Sequence, residues 1–317
     1  MCGEKSTSMS ILSWLTKQPL RYRNESIRQA NRKNKREIIR YALRGVDQID
    51  PRGLPIYDEE WDVLIVLDAC RVDVLNEVST EYSFLPTEIP SKRSVASCSP
   101  LWMNRNFCSE YNRDMKSTVH VTGNPYSQDH LESDWFHTLD EVWKYAWDSD
   151  LGTVPCRPIT DRAISGSRAQ NPDRLLVHYL QPHFPSVPAP LDSAIDLEMF
   201  GDSWDSIWNR LMQGDVNKET VWESYKENLR YVLNDVGILL QNIDAETVII
   251  TADHGNAFGE WDLYGHPAKT PISPLREVPW VRISAQDSGS YNPSTEVGED
   301  QIDETAVESR LKDLGYL

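Results

Sequence analysis

Two short runs of branched apolar residues, Val63-Leu64-Ile65-Val66-Leu67 and Val248-Ile249-Ile250, both lead into acidic side chains. The first ends at Asp68; the second passes through Thr251-Ala252 into Asp253-His254-Gly255. Runs of this length without polar alternation read as buried strands. In an open α/β sheet, ligands bind beyond the carboxyl ends of the strands. Two strands that each deliver a carboxylate to one rim supply the makings of a metal site. The glycine after Asp253-His254 provides the turn that such a rim needs.

The rest of the chain continues the pattern. Further strands are expected at 118–122, 174–180 and 278–283, and helices at 71–78, 100–107, 139–147 and 221–243. In the helix at 100–107, Ser99 is the expected N-cap and Pro100 the first helical residue. In the helix at 221–243, Trp222, Tyr225, Leu229, Val232, Leu233, Val236, Leu239 and Leu240 recur at helical spacing, a core stripe without chemistry. Strands alternating with helices give an α/β fold, a mostly parallel central sheet with helices on both faces. This domain is placed at 56–285, with an irregular insertion near 186–215 rich in Pro and Asp. A basic helical extension and linker precede it at 1–55, and an acidic tail follows at 286–317.

Composition narrows the partners. The 317 residues carry a formal net charge of −17, yet residues 1–45 hold eleven Lys and Arg against three Asp and Glu. The acidic body disfavours nucleic acid. The basic segment reads either as a solvated helix packed on the body by a weak apolar face, or as a peripheral contact with anionic lipid or an acidic neighbour. No apolar run approaches the roughly 18–20 residues of a membrane span, and Ile11-Leu12-Ser13-Trp14-Leu15 is too short for a signal core, so the expected location is the cytoplasm, peripheral to a membrane if the helix binds one. The cysteines Cys2, Cys70, Cys98, Cys108 and Cys156 are odd in number and widely spaced, which suits reduced thiols and no zinc knuckle.

Taken in order, Leu67-Asp68, Cys98-Ser99-Pro100, His183, Asp253-His254-Gly255 and Gly265-His266-Pro267 resemble the alkaline phosphatase/sulfatase superfamily. The likeness is nearest to the sulfatase-like proteins common in archaeal genomes and covers about residues 60–285. It implies a metal-dependent hydrolase of sulfate or phosphate esters that works through a covalent intermediate on a nucleophile near residue 98. By resemblance the metal ligands are Asp68, Cys98, Asp253 and His254. Cys98, His183 and His266 are the catalytic candidates, and Arg71, Ser97, Ser99 and Arg105 are substrate-contact candidates. The substrate is a small-molecule or glycan ester. The chemistry suits these residue types, since a cation neutralises the ester oxygens that would repel a nucleophile. Hard carboxylates with an imidazole accept Mn²⁺, Zn²⁺, Ca²⁺ or Mg²⁺, and one ion is expected, since the third strand lacks a second acidic ligand set.

Blander readings compete at each position. A lone Asp at a strand end is commonly a helix N-cap, His183 a capped turn histidine, Ser99 an N-cap and His178 a satisfied core histidine. His120, His130 and His137 carry no assigned role. The nucleophile stays open between Cys98, Ser99 and Ser97. Cys98 and Pro100 overlay the sulfatase pattern in which cysteine is oxidised to formylglycine, but Trp102 stands where that pattern has arginine, which counts against modification. Rival readings are a phospho-group transferase, a non-catalytic relative that binds an anionic glycan or lipid, and a phosphoglycerate-mutase-like isomerase that would need a second metal set.

Overall fold

The computed structural model describes residues 27–49, 53–191 and 207–294. Among these, seven strands form one sheet in the order β2-β9-β6-β1-β5-β3-β4. The strands are β1 (Val63–Leu67), β2 (Ser91–Arg93), β3 (Thr118–Thr122), β4 (Thr138–Glu141), β5 (Arg174–Tyr179), β6 (Ala245–Thr251) and β9 (Glu277–Ala285). A separate hairpin pairs β7 (Ala257–Phe258) with β8 (Tyr264–Gly265). The five strands from β6 to β4 are parallel, while β9 runs antiparallel to both β6 and β2.

The apolar run of β1 is continuous because both of its faces are covered. Val63, Ile65 and Leu67 point into one core with α2 (Val72–Val78), α4 (Cys156–Gln170) and α5 (Lys218–Leu240). Leu64 and Val66 point into the other core with α3 (Ser99–Asn106), through Trp102 and Met103. Each such buried aliphatic side chain contributes about 1.5–3 kcal/mol relative to exposure. The sheet and its two helical layers are therefore the expected fold class.

Several element boundaries differ from the sequence reading. The segment expected as one helix at 139–147 is split into β4 and a short helix, Trp143–Ala146. Val119 to Thr122 of β3 offers a free edge, and Thr138 to Glu141 pair along it. The 186–215 segment is irregular only in part, since Ile207–Gln213 is helical and 192–206 lies outside the described residues. The tail reading falls mostly on 295–317, also outside them. Its first residues are tied down, with Asp287 paired to Arg168 at 2.8 Å and Tyr291 Oη donating to Asp161 at 2.7 Å.

The described part of the basic extension is one helix, α1 (Ile27–Ile49). It lies on the body. Leu43 packs against Ala257, Leu263, Ile272 and Leu275. Arg36 binds Asp262 at 2.9 Å, and Asp47 is buried between Arg276 at 2.8 Å and Arg105 at 3.0 Å. No described helix is long and apolar enough to cross a membrane.

Candidate metal centre

Register brings the two strand-end carboxylates together. Val66 of β1 stands beside Thr251 of β6, so Asp68 and Asp253 each follow two residues later at the same level of the rim. Ala69 then turns the chain with φ at 60°, a left-handed conformation that costs a non-glycine residue of order 1 kcal/mol. Its N–H donates to Asp253 Oδ1 at 3.0 Å, and Tyr225 Oη donates to its carbonyl. Gly255 is required for a different reason: a Cβ there would lie 2.2 Å from the Pro274 carbonyl oxygen.

Asp253 Oδ1 also accepts the His254 N–H at 2.8 Å, and its buried Oδ2 has no hydrogen-bond partner among the described residues. Asp68 Oδ2 accepts from Asn124 Nδ2 at 2.6 Å, while its buried Oδ1 likewise has no hydrogen-bond partner among the described residues. His254 Nδ1 donates to the Gly255 carbonyl at 2.9 Å, so in the neutral ring Nε2 carries the lone pair. That Nε2 lies 3.4 Å from Asp253 Oδ2 and 3.8 Å from Asp68 Oδ1. One ligand atom from each of the three residues falls within 4.8 Å of the others, and all three are buried. Two orphaned carboxylate oxygens and one imidazole lone pair on a shared centre suit a divalent cation.

The titration behaviour matches this arrangement. Burial and the neighbouring negative charge of Asp253 raise Asp68 well above the carboxylate range. Burial also pushes Asp253 up, but His254, His178 and the Ala69 N–H outweigh it and hold Asp253 down. A cation held between the two carboxylates would relieve their mutual repulsion.

Ser99 belongs to the same cluster. It lies in the first turn of α3 and does not precede it; Cys98 occupies the N-cap position and makes no side-chain capping bond. Ser99 Oγ sits 3.3 Å from His254 Nε2 and 3.4 Å from Asp68 Oδ2. The hydroxyl expected to cap a helix is aimed at the centre instead. The converging ligand group does not include Cys98. Burial pushes its thiol up to about 12, so it is protonated at neutral pH. Ser97 Oγ donates to the Pro267 carbonyl at 3.0 Å and accepts the Thr270 N–H at 3.1 Å, which pins the His266 loop.

His183 and His266 meet above the cluster. His183 Nδ1 donates to the Phe184 carbonyl at 2.6 Å, and its Nε2 accepts from His266 Nε2 at 2.9 Å. The His266 ring stacks on His254 with centroids 4.6 Å apart. Burial, with His254 nearby, lowers His183 to about 4, and burial with both neighbouring imidazoles lowers His266 further.

The two arginines are engaged elsewhere. Arg71 binds Asp73, Glu260 Oε1 at 2.8 Å and the Asn256 carbonyl at 2.7 Å, tying the loop after His254 to α2. Arg105 binds Asp47 and the Val95 carbonyl.

Two site residues were not anticipated. Asn124, which orients Asp68, follows the end of β3 on the same rim, and that position was the available signal. His178 is buried on β5, yet neither ring nitrogen has a hydrogen-bond partner among the described residues, so it is not a satisfied core histidine. Its Nε2 lies 3.8 Å from Asp68 Oδ2.

No family model matches this sequence, and no curated protein matches it. Among solved structures, the chain is similar to the soluble domain of lipooligosaccharide phosphoethanolamine transferase A from Neisseria meningitidis, at 12% identity and a TM-score of 0.48, over 71% of this chain and 76% of that one. It is also similar to that organism's integral membrane protein, at 13% identity and a TM-score of 0.47, over 71% of this chain and 47% of that one, about half its length. A protein in the alkaline phosphatase superfamily from Vibrio parahaemolyticus shares 12% identity at a TM-score of 0.37, over 72% of this chain and 61% of that one.

Proposed function

We propose that this chain is a metal-dependent enzyme that cleaves or transfers the phosphate or sulfate group of a small-molecule or glycan ester, with Ser99 as nucleophile. One observation carries the reading: a buried carboxylate oxygen from each of Asp68 and Asp253, neither with a hydrogen-bond partner among the described residues, converges with His254 Nε2 beside the Ser99 hydroxyl. A divalent cation held by these residues neutralises the anionic ester oxygens and makes a nearby hydroxyl easier to deprotonate. Two carboxylates with one imidazole favour Zn²⁺ or Mn²⁺ over Ca²⁺ or Mg²⁺.

Ser99 donates toward Asp68 Oδ2, which takes up its proton as the bond from Oγ to phosphorus or sulfur forms and the ester bond breaks. The leaving oxygen departs to solvent, which protonates it, while the His183–His266 pair beside His254 offers hydrogen bonds to the ester oxygens. Water, or an acceptor alcohol in a transferase, then displaces the group and restores the hydroxyl. Asn124 keeps Asp68 oriented throughout.

Ser99 takes the role in preference to Cys98, whose buried thiol is protonated and lies outside the converging group. Trp102 argues against a formylglycine. It is buried and packs edge-on against Phe107 and His178, with centroids 5.6 and 5.5 Å away, and so occupies a core position.

The test combines metal analysis with turnover of aryl phosphates and aryl sulfates under Zn²⁺, Mn²⁺, Mg²⁺ and Ca²⁺. Turnover that needs a metal and disappears in Asp253→Ala is expected. Metal binding with no turnover on any ester would favour a non-catalytic binding protein.

A further inference from the structure

The helix α1 meets the body on segments that carry site residues. Arg36 donates to the Asp262 carbonyl at 3.1 Å and to its carboxylate at 2.9 Å, just upstream of His266. Leu43 packs on Ala257 and Leu263, from the stretch between His254 and His266, and on Ile272 and Leu275 beyond it. Asp47 is buried, with one carboxylate oxygen on Arg276 and the other on Arg105.

The two arginines reach the two halves of the site. Arg105 lies on α3, the helix that begins at Ser99, and donates to the Val95 carbonyl. Arg276 ends the short helix Ser273–Arg276 and donates through Nε to the Ser94 carbonyl at 2.7 Å. Ser94 returns its N–H to the Arg276 carbonyl at 2.6 Å, and its hydroxyl donates to the Asp253 carbonyl. The same short helix accepts the Gly255 N–H on the Leu275 carbonyl at 3.0 Å. Two successive carbonyls of the segment that leads into Ser99 are thus each held by one arginine, and both arginines share one carboxylate. The loop that carries Asp253 and His254 hangs from the same frame. Asp47, Ser94, Val95 and Arg276 are all buried, where directional hydrogen bonds are strong.

We infer, on the basis of the metal-dependent reaction proposed above, that Asp47 is a positioning residue. Through its two arginines it sets the separation between Ser99 and the Asp253–His254 loop, which makes α1 a working part of the catalytic unit. Adhesion alone does not account for the arrangement. A buried ion pair adds little net stability over apolar side chains of similar volume, because taking both charges out of water offsets their attraction. An apolar contact such as that of Leu43 is enough to fasten a helix. A carboxylate gripped by two planar guanidinium groups adds direction. The separation at stake is small: Ser99 Oγ lies 3.3 Å from His254 Nε2, and a shift of about 1 Å can cost about a hundredfold in rate.

Two variants of the full chain test the frame, each assayed well below its unfolding transition, so that an effect on stability alone changes neither rate nor affinity. Arg105→Met releases the Val95 carbonyl and leaves Asp47 paired with Arg276. Its kcat should fall about tenfold, with KM and metal affinity within about twofold of the parent. Asp47→Leu/Arg276→Met replaces both members of the buried pair by apolar side chains and releases the Ser94 carbonyl. Its kcat should fall about a hundredfold, and its Zn²⁺ affinity about tenfold in a competition titration. Parental kcat and Zn²⁺ affinity in the double variant would overturn the inference and leave the reading of the site intact. A raised KM with unchanged kcat in Arg105→Met would make Arg105 a substrate contact and overturn its place in the frame. If the parent binds Zn²⁺ yet turns over no ester, the catalytic reading falls and the affinity of the double variant decides alone. A tenfold loss then upholds Asp47 as the residue that positions the ligand loop, and parental affinity overturns it.

Discussion

Ser99 Oγ lies 3.3 Å from His254 Nε2, although 155 residues separate the two in the chain. The contact places a hydroxyl at the point where three ligand atoms converge. Ser99→Ala should lower turnover by about a thousandfold or more, as loss of a nucleophile does, with metal content unchanged. Cys98→Ala should stay within about tenfold of the parent. The opposite ranking in steady-state assays would return the nucleophile to Cys98.

Asp68→Asn and Asp253→Asn each remove the charge of a ligand while nearly preserving shape. Both should reduce bound metal well below one ion per chain in elemental analysis of purified protein. Asp253→Asn should cost more, because Asp253 is the member held ionised. Chelation of the parent protein should abolish turnover, and one divalent ion per chain should restore it. Full metal content in both variants would mean that the cation binds elsewhere.

The central sheet was legible because β1 and β6 are covered on both faces, and doubly covered strands leave unbroken apolar runs in a sequence. Asp68 and Asp253-His254 were legible because they follow those runs directly. The edge strand β4 was not, since Thr138, Leu139, Asp140 and Glu141 are all half-buried and carry no clear alternation. The position of Ser99 was misread for a physical reason. A serine before a proline fits a helix cap locally, whereas its partners Asp68 and His254 lie 31 and 155 residues away. Asn124 was hidden in the same way, 56 residues from the carboxylate it holds.

Asp47 ties α1 to the site loops through two arginines. Arg276 Nε also binds the Ser94 carbonyl at 2.7 Å, and Ser94 Oγ donates to the Asp253 carbonyl. Asp47→Ala removes the carboxylate beside the fully buried Arg276 and should destabilise the fold by about 3 kcal/mol in urea titration. Asp47→Leu combined with Arg276→Met should recover much of that loss, because both members of the buried ion pair are then replaced by apolar side chains. A drop no larger than that of an exposed ion pair, under about 1 kcal/mol, would show that Asp47 does not anchor α1.

Gly255→Ala tests how closely the ligand loop is packed. The added Cβ would meet the Pro274 carbonyl at 2.2 Å, and the Gly255 N–H already bonds the Leu275 carbonyl at 3.0 Å. The backbone must shift, at a cost of about 1–3 kcal/mol. That shift carries His254 with it, so metal affinity should fall about tenfold or more in a competition titration. An alanine variant with parental affinity would show that the loop yields without moving its ligands.

Buried histidines set the acid limit of the fold. Burial lowers His178 and His183 to about 4 and His120 further, from an unfolded value of 6.5. The unfolded chain therefore binds protons between pH 6.5 and about 4 that the folded chain refuses. Stability is fully present above pH 6.5 and falls as pH drops through that window, by up to about 1.4 kcal/mol per unit for each histidine. His120 packs between Phe107 and Phe136, and neither of its ring nitrogens has a hydrogen-bond partner among the described residues. His120→Leu should therefore flatten the pH dependence in chelator-treated protein and move the acid unfolding midpoint to lower pH. Urea midpoints measured from pH 7 to 4.5 check this, and an unchanged slope in the variant would assign the acid sensitivity to other groups.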